Sequence, residues 1–299
     1  MVRHLSRTLA GLGPALLLLP FLTLADAGHL WAQDGSEEWR APRWVGDMTF
    51  VSTNALLGGL TGGVLQRLNG GEFRDGFARG ALGGGTAYLG RRVAVEDFRG
   101  AGLLGRQISG VGASMVRNAG EGRPALEQLV FPLGPIRLQV DRAETMRITP
   151  RVALHDLAWT LTFAMQPETE LDWTRSLSAG APVFRSPLRR FIGPDGDPAD
   201  GVAIGGVIGL SDVPEDRLRT VFSHERVHVL QHDFAFLVWS DPVEARIMDR
   251  TDWGRTLYRY LDLGMVFPAV RGGVNRAFGV EHEDQLSEIE AKFLDGGVR

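Results

Sequence analysis

Ser223-His224-Glu225-Arg226-Val227-His228 is the stretch on which the reading of this chain turns. Two histidines four positions apart on a helix project from one face, about one turn from each other, so both imidazoles reach a single ion. Glu225, directly after the first of them, is angled toward a water on that ion rather than toward the ion itself. Two nitrogen donors and a proton-carrying carboxylate at H-E-x-x-H spacing describe a zinc site built for hydrolysis. The chain has only 7 histidines in 299 residues, so this spacing is a specific signal. Around the motif, Val221, Phe222, Val227, Val229, Leu230, Phe234, Phe236 and Leu237 leave almost no polar face, as in a core helix. Histidines and a glutamate inside such a helix are costly to bury unless something satisfies them, and a dication does. Asp212 and Glu215, with Pro214 between them, predict a capping box at the helix start.

A hydrolytic zinc needs a third protein ligand and an open position. His232 lies two turns from His224, about 12 Å along the axis, too far to share one ion on a straight helix. Glu244 and His282 are further candidates, and Glu288-Ile289-Glu290-Ala291 supplies two more. At this point the chain resembles the gluzincin group of metallopeptidases, in which a glutamate on a later helix closes the ligand set. The resemblance rests on His224, Glu225 and His228, on Gln231 after the second histidine, and on the later E-x-x-A. It covers about residues 200–295. It implies a zincin-like fold there, one zinc ion, His224, His228 and Glu288 as ligands, and Glu225 as general base. Several gluzincins follow the alanine with an aspartate that supports a ligand histidine, whereas this chain has Lys292. Helical periodicity points differently. Leu286, Ile289, Phe293 and Leu294 share a face with Glu290, while Glu288 falls with Asp284 and Asp295 on the other side. On its spacing to Ala291, as the resemblance implies, Glu288 is the expected ligand, with Glu290 the alternative.

The first 27 residues read as an export signal: Arg3 and Arg7, an apolar run over 9–24 broken by Pro14 and Pro20, then Ala25-Asp26-Ala27. Without a cysteine there is no disulfide and no thiolate metal site. Hydrophobic residues at 44%, charged residues at 23%, a net charge of −4 and a pI near 6.0 describe globular material with no electrostatic case for nucleic acid.

Residues 28–127 form a glycine-rich region read as helical. Leu57-Gly58-Gly59 returns as Leu82-Gly83-Gly84, and Arg67, Arg92 and Arg117 keep the same 25-residue step. Small residues at spacings of three and four let helices approach closely. Close packing within the fold is favoured over a membrane-inserting hairpin, with peripheral membrane contact through residues 48–122 kept as an alternative. Residues 128–299 form the expected metallopeptidase domain. Its first part reads as a mainly antiparallel sheet, with strands expected at 136–140, 147–154, 158–165, 170–177, 183–184 and 202–210. Helices are expected from Asp241 to about Gly254 and over 281–295.

The expected class is thus α+β: glycine-rich helices, an antiparallel sheet, then a zincin-like helical region carrying the motif. The expected function is that of an exported zinc metallopeptidase acting on a peptide or protein substrate through a metal-activated water. An inactive zincin-like scaffold and an envelope-associated structural protein acting through its glycine-rich repeats are the alternatives. Strand 201–210 would hold substrate, and Tyr258, Tyr260 and Arg226 are candidates for the oxyanion.

Overall fold

Glycine spacing sets the first layer, in the computed structural model of the chain. It describes residues 43–143, 145–187, 191–192, 198–264 and 285–296, so the expected signal at 1–27 and His282 lie outside the described residues. Helices α1 (Arg43–Leu68), α2 (Phe73–Ala94) and α3 (Ala101–Gly120) run back and forth. Each carries one of the repeated arginines, Arg67, Arg92 and Arg117, in its last turn, where a cation meets the negative end of the helix dipole. Gly58, Gly62, Gly80 and Gly84 form the α1–α2 seam, and Gly83, Gly90, Gly105 and Gly112 the α2–α3 seam. Backbone meets backbone along both. A methyl group on Gly84 would overlap the Asn54 carbonyl. Gly84→Ala should therefore cost about 1–3 kcal/mol through forced separation of the helices, read as a lower midpoint in chemical denaturation.

The outer face of this layer is apolar, with Trp44, Met48, Leu56, Leu82 and Leu89 exposed. Residues 49–66 carry no charge. By length and composition α1 is long and apolar enough to cross a membrane, although 39% of its most apolar window is buried within the fold.

The sheet expected over 128–210 is two four-stranded sheets, each with one parallel pair. In the first, β1 (Gln128–Leu133), β2 (Ile136–Asp141) and β3 (Arg147–Ala153) form an antiparallel meander, and β10 (Leu261–Asp262) joins β3 in parallel. In the second the order is β4 (Glu170–Leu171), β5 (Val183–Ser186), β9 (Val207–Ser211), β8 (Gly201–Ile204), with β5 and β9 parallel. A short β6–β7 pair (Phe191–Ile192, Pro198–Ala199) forms its own two-stranded sheet, joined to β9 through the Ser211 hydroxyl. The strand expected at 202–210 is a hairpin: Gly205, at φ +61°, and Gly206 make a two-residue turn between β8 and β9.

Two expected strands are helical. Of the strand expected at 158–165, residues 158–164 belong to α4 (Leu154–Ala164), and after β4 the Asp172 side chain accepts the Arg175 N–H at 2.9 Å and starts α5 (Trp173–Ala179).

The motif helix α6 (Glu215–Ala235) begins behind Pro214 without a side-chain cap, so Asp212 and Glu215 form no capping box. It continues through a π turn (Phe236–Ser240) into α7 (Asp241–Met248), short of Gly254, because a new helix α8 (Asp252–Tyr258) starts at the Thr251 cap. The last helix, α9, spans Leu286–Leu294.

Packing does not break at residue 127. Phe50 and Tyr88 of the glycine-rich helices share a core cluster with Val227, Ala291 and Leu294, and Ala113 and Val116 share another with Val130 and Phe236. On its other side α6 buries Leu218, Phe222, Val229 and Leu230 against Val183, Ile208 and Leu210 of the second sheet. The motif helix is thus held from two sides, which leaves its histidines little freedom to move.

Candidate metal centre

His224 and His228 sit one turn apart on α6, and α9 crosses that turn from the far end of the chain. The two Nε2 atoms lie 2.9 Å apart. Glu288 brings one carboxylate oxygen to 3.2 Å from His224 Nε2 and the other to 3.1 Å from His228 Nε2. Zinc bonds of about 2.0–2.1 Å in a tetrahedron separate the donors by about 3.3 Å, so this N, N, O set fits one ion.

Both imidazoles are fixed from behind. His224 Nδ1 is 2.8 Å from Asp295 Oδ2, and His228 Nδ1 is 2.8 Å from Gln231 Oε1. Each acceptor holds the ring proton on Nδ1 and frees the Nε2 lone pair for a metal. Burial works against charge on His224, but the carboxylates of Asp295 and Glu288 overcome it and raise its pKa to about 10. The ion-free cage therefore keeps a proton where a dication would sit. Asp295→Ala should weaken zinc binding by about 10–100-fold, measured by competition with a chromophoric chelator.

Glu225 is buried on the side of α6 that faces β8. Burial raises its carboxyl pKa, and the nearby His228 and His224 offset part of that shift. The Ala203 N–H hydrogen-bonds the carboxylate. Asp200 O accepts from Ser211 N at 2.8 Å, so in the alternating ladder Gly201 and Ala203 turn their backbone groups away from β9, toward the outer edge. A Cβ on Gly201 would stand 3.0 Å from Glu225 Cγ, so the absent side chain makes room for this carboxylate.

The other expected site residues lie elsewhere. Glu290 is buried, accepting from Asn54 Nδ2 at 3.0 Å, Arg91 Nε at 3.2 Å and Gln231 Nε2 at 2.9 Å. Gln231 also donates to the Ser287 carbonyl at 3.0 Å. Glu290 thus anchors Gln231, and through it His228, to the glycine-rich helices. Glu244 accepts the N–H groups of Leu263 and Gly264 at 3.1 and 3.2 Å. Tyr258 hydrogen-bonds Asp241, Arg226 donates to Ser223 and lies over the Phe222 ring, and Tyr260 is exposed beside Trp253.

Sequence reasoning missed Asp295 as a support. The sign was available: it lies seven residues, about two helical turns, beyond Glu288 on the same face. Arg91 and Asn54 gave no such sign, being 199 and 236 residues from Glu290.

Comparison with known proteins finds no family model, curated protein or solved structure that matches the chain.

Proposed function

We propose that the protein is an exported zinc-dependent metallopeptidase of gluzincin-like type. His224, His228 and Glu288 hold one zinc ion, and Glu225 is the general base. The observation that carries this reading is the convergence of His224, His228 and Glu288, whose donor atoms all lie within 4.8 Å of one another, with both Nδ1 atoms tied back to acceptors. Zinc there supplies Lewis acidity and lowers the pKa of a water toward about 7.

Glu225 takes a proton on its carboxylate and returns it to the leaving amine, and its raised pKa brings it closer to working pH. Beyond the Ala203 N–H, which Glu225 takes, the outer edge of β8 offers its remaining backbone groups to an extended peptide, which pairs there as an added strand. Asn54 and Arg91 hold Glu290, so the glycine-rich helices brace the centre. Their exposed apolar face, with Trp44, Met48 and Leu56, supports peripheral contact with a membrane.

Stripping the metal with a chelator should abolish cleavage of an unfolded polypeptide, and added zinc should restore it. Cleavage that survives chelation, or that persists in His224→Gln, sinks the reading.

A further inference from the structure

One turn beyond His228, His232 points to a second cluster that shares no donor with the first. Its Nε2 lies 3.3 Å from Asp156 Oδ1, and His155 Nδ1 lies 3.5 Å from the same oxygen. All three donor atoms fall within 4.8 Å of one another. The two rings stand with centroids 5.4 Å apart and planes 24° from parallel. Two imidazoles and a carboxylate on one tetrahedral ion, at bonds of about 2.0–2.1 Å, place donors about 3.3 Å apart and ring centres about 5.2 Å apart.

Both ring nitrogens are shielded from solvent and make no well-formed hydrogen bond. That is a costly state for a histidine pair, and an ion relieves it.

The carboxylate is prepared in the same way. Arg137 Nη2 holds Asp156 Oδ2 at 3.0 Å, and the Gly206 N–H donates to Oδ1 at 3.1 Å. The β8–β9 turn comes close because it carries no side chain. A Cβ on Gly205 would stand 2.8 Å from His155 Nδ1 and 2.9 Å from Asp156 Oδ1.

We propose that His155, Asp156 and His232 bind a second divalent transition-metal ion, which clamps α4 and the β8–β9 turn to α6. Imidazole and carboxylate donors suit zinc and its neighbours. The clamp also fixes β8, the strand that packs on Glu225. In the ion-free chain the Trp159 indole N–H is 3.2 Å from His155 Nε2. An ion on Nδ1 puts the ring proton on Nε2, so the half-buried indole must turn away, which gives a fluorescence signature.

The test uses the full chain, stripped with chelator and titrated with zinc, with bound metal counted. Wild type should hold two ions. His224→Gln/His228→Gln should hold one, with a Trp159-dependent fluorescence change that Trp159→Phe removes. His155→Gln/His232→Gln should also hold one. If only the first centre is wrong, wild type holds one ion, kept in the first double variant and lost in the second. The proposal is overturned if the first double variant binds no zinc, or if the second binds as much as wild type. Should the second variant not fold, zinc must still raise the melting temperature of the first, and no shift overturns the proposal.

Discussion

Glu225→Gln should lower peptide turnover by about 10²–10⁴-fold while zinc stays bound. The substitution keeps the side chain's size and the Ala203 N–H partner but removes the ability to accept a proton. His224, His228 and Glu288 are untouched, so metal affinity should change by less than tenfold. Burial raises the Glu225 pKa, and His228 and His224 oppose part of the rise. A variant with intact zinc and near-normal turnover would remove Glu225 from the reaction. A variant that loses zinc would mean that Glu225 shapes the cage instead.

Arg137→Met should cost about 3–5 kcal/mol of stability, on the order of 10 °C in melting temperature for a chain of this size. Arg137 is buried, donates to Asp262 at 2.9 Å and Asp156 at 3.0 Å, and lies 3.8 Å over the Phe236 ring. Methionine fills part of the space but leaves two buried carboxylates without their cation. Asp156 shows the sign of the pH dependence. Burial pushes its pKa up, yet Arg137 and the imidazoles bring it well below the usual carboxylate value. A depressed folded pKa contributes stability that is fully present above about pH 4 and lost as pH falls below it. The gap between wild type and variant should therefore be widest near neutrality and narrow in acid. Thermal melts at several pH values check both the size and the trend.

How much of this could be read from the sequence follows the range of each interaction. The motif is local: five residues on one helix fix two imidazoles on one face, whatever the rest of the fold does. The choice between Glu288 and Glu290 is not local. Periodicity assumes a helix with one buried face, but α9 is wedged between α6 and the glycine-rich helices, so both glutamates are buried on opposite sides. Trp159, Leu161 and Phe163 alternate as in a strand, yet they belong to α4, whose first turn is held by Arg137 through Asp156. The Arg106–Asp233 pair, 2.6 Å apart and 127 residues distant in the chain, is equally invisible to spacing. The 25-residue repeat, by contrast, follows successive helices, because each glycine seam needs its partner seam in the next one.

The most direct measurement is anomalous scattering at the zinc edge from crystals grown with zinc. The account predicts a peak about 2 Å from His224 Nε2, His228 Nε2 and a Glu288 carboxylate oxygen. A zinc-soaked crystal with no peak between those three side chains, their rings and carboxylate contacting only one another, would contradict it.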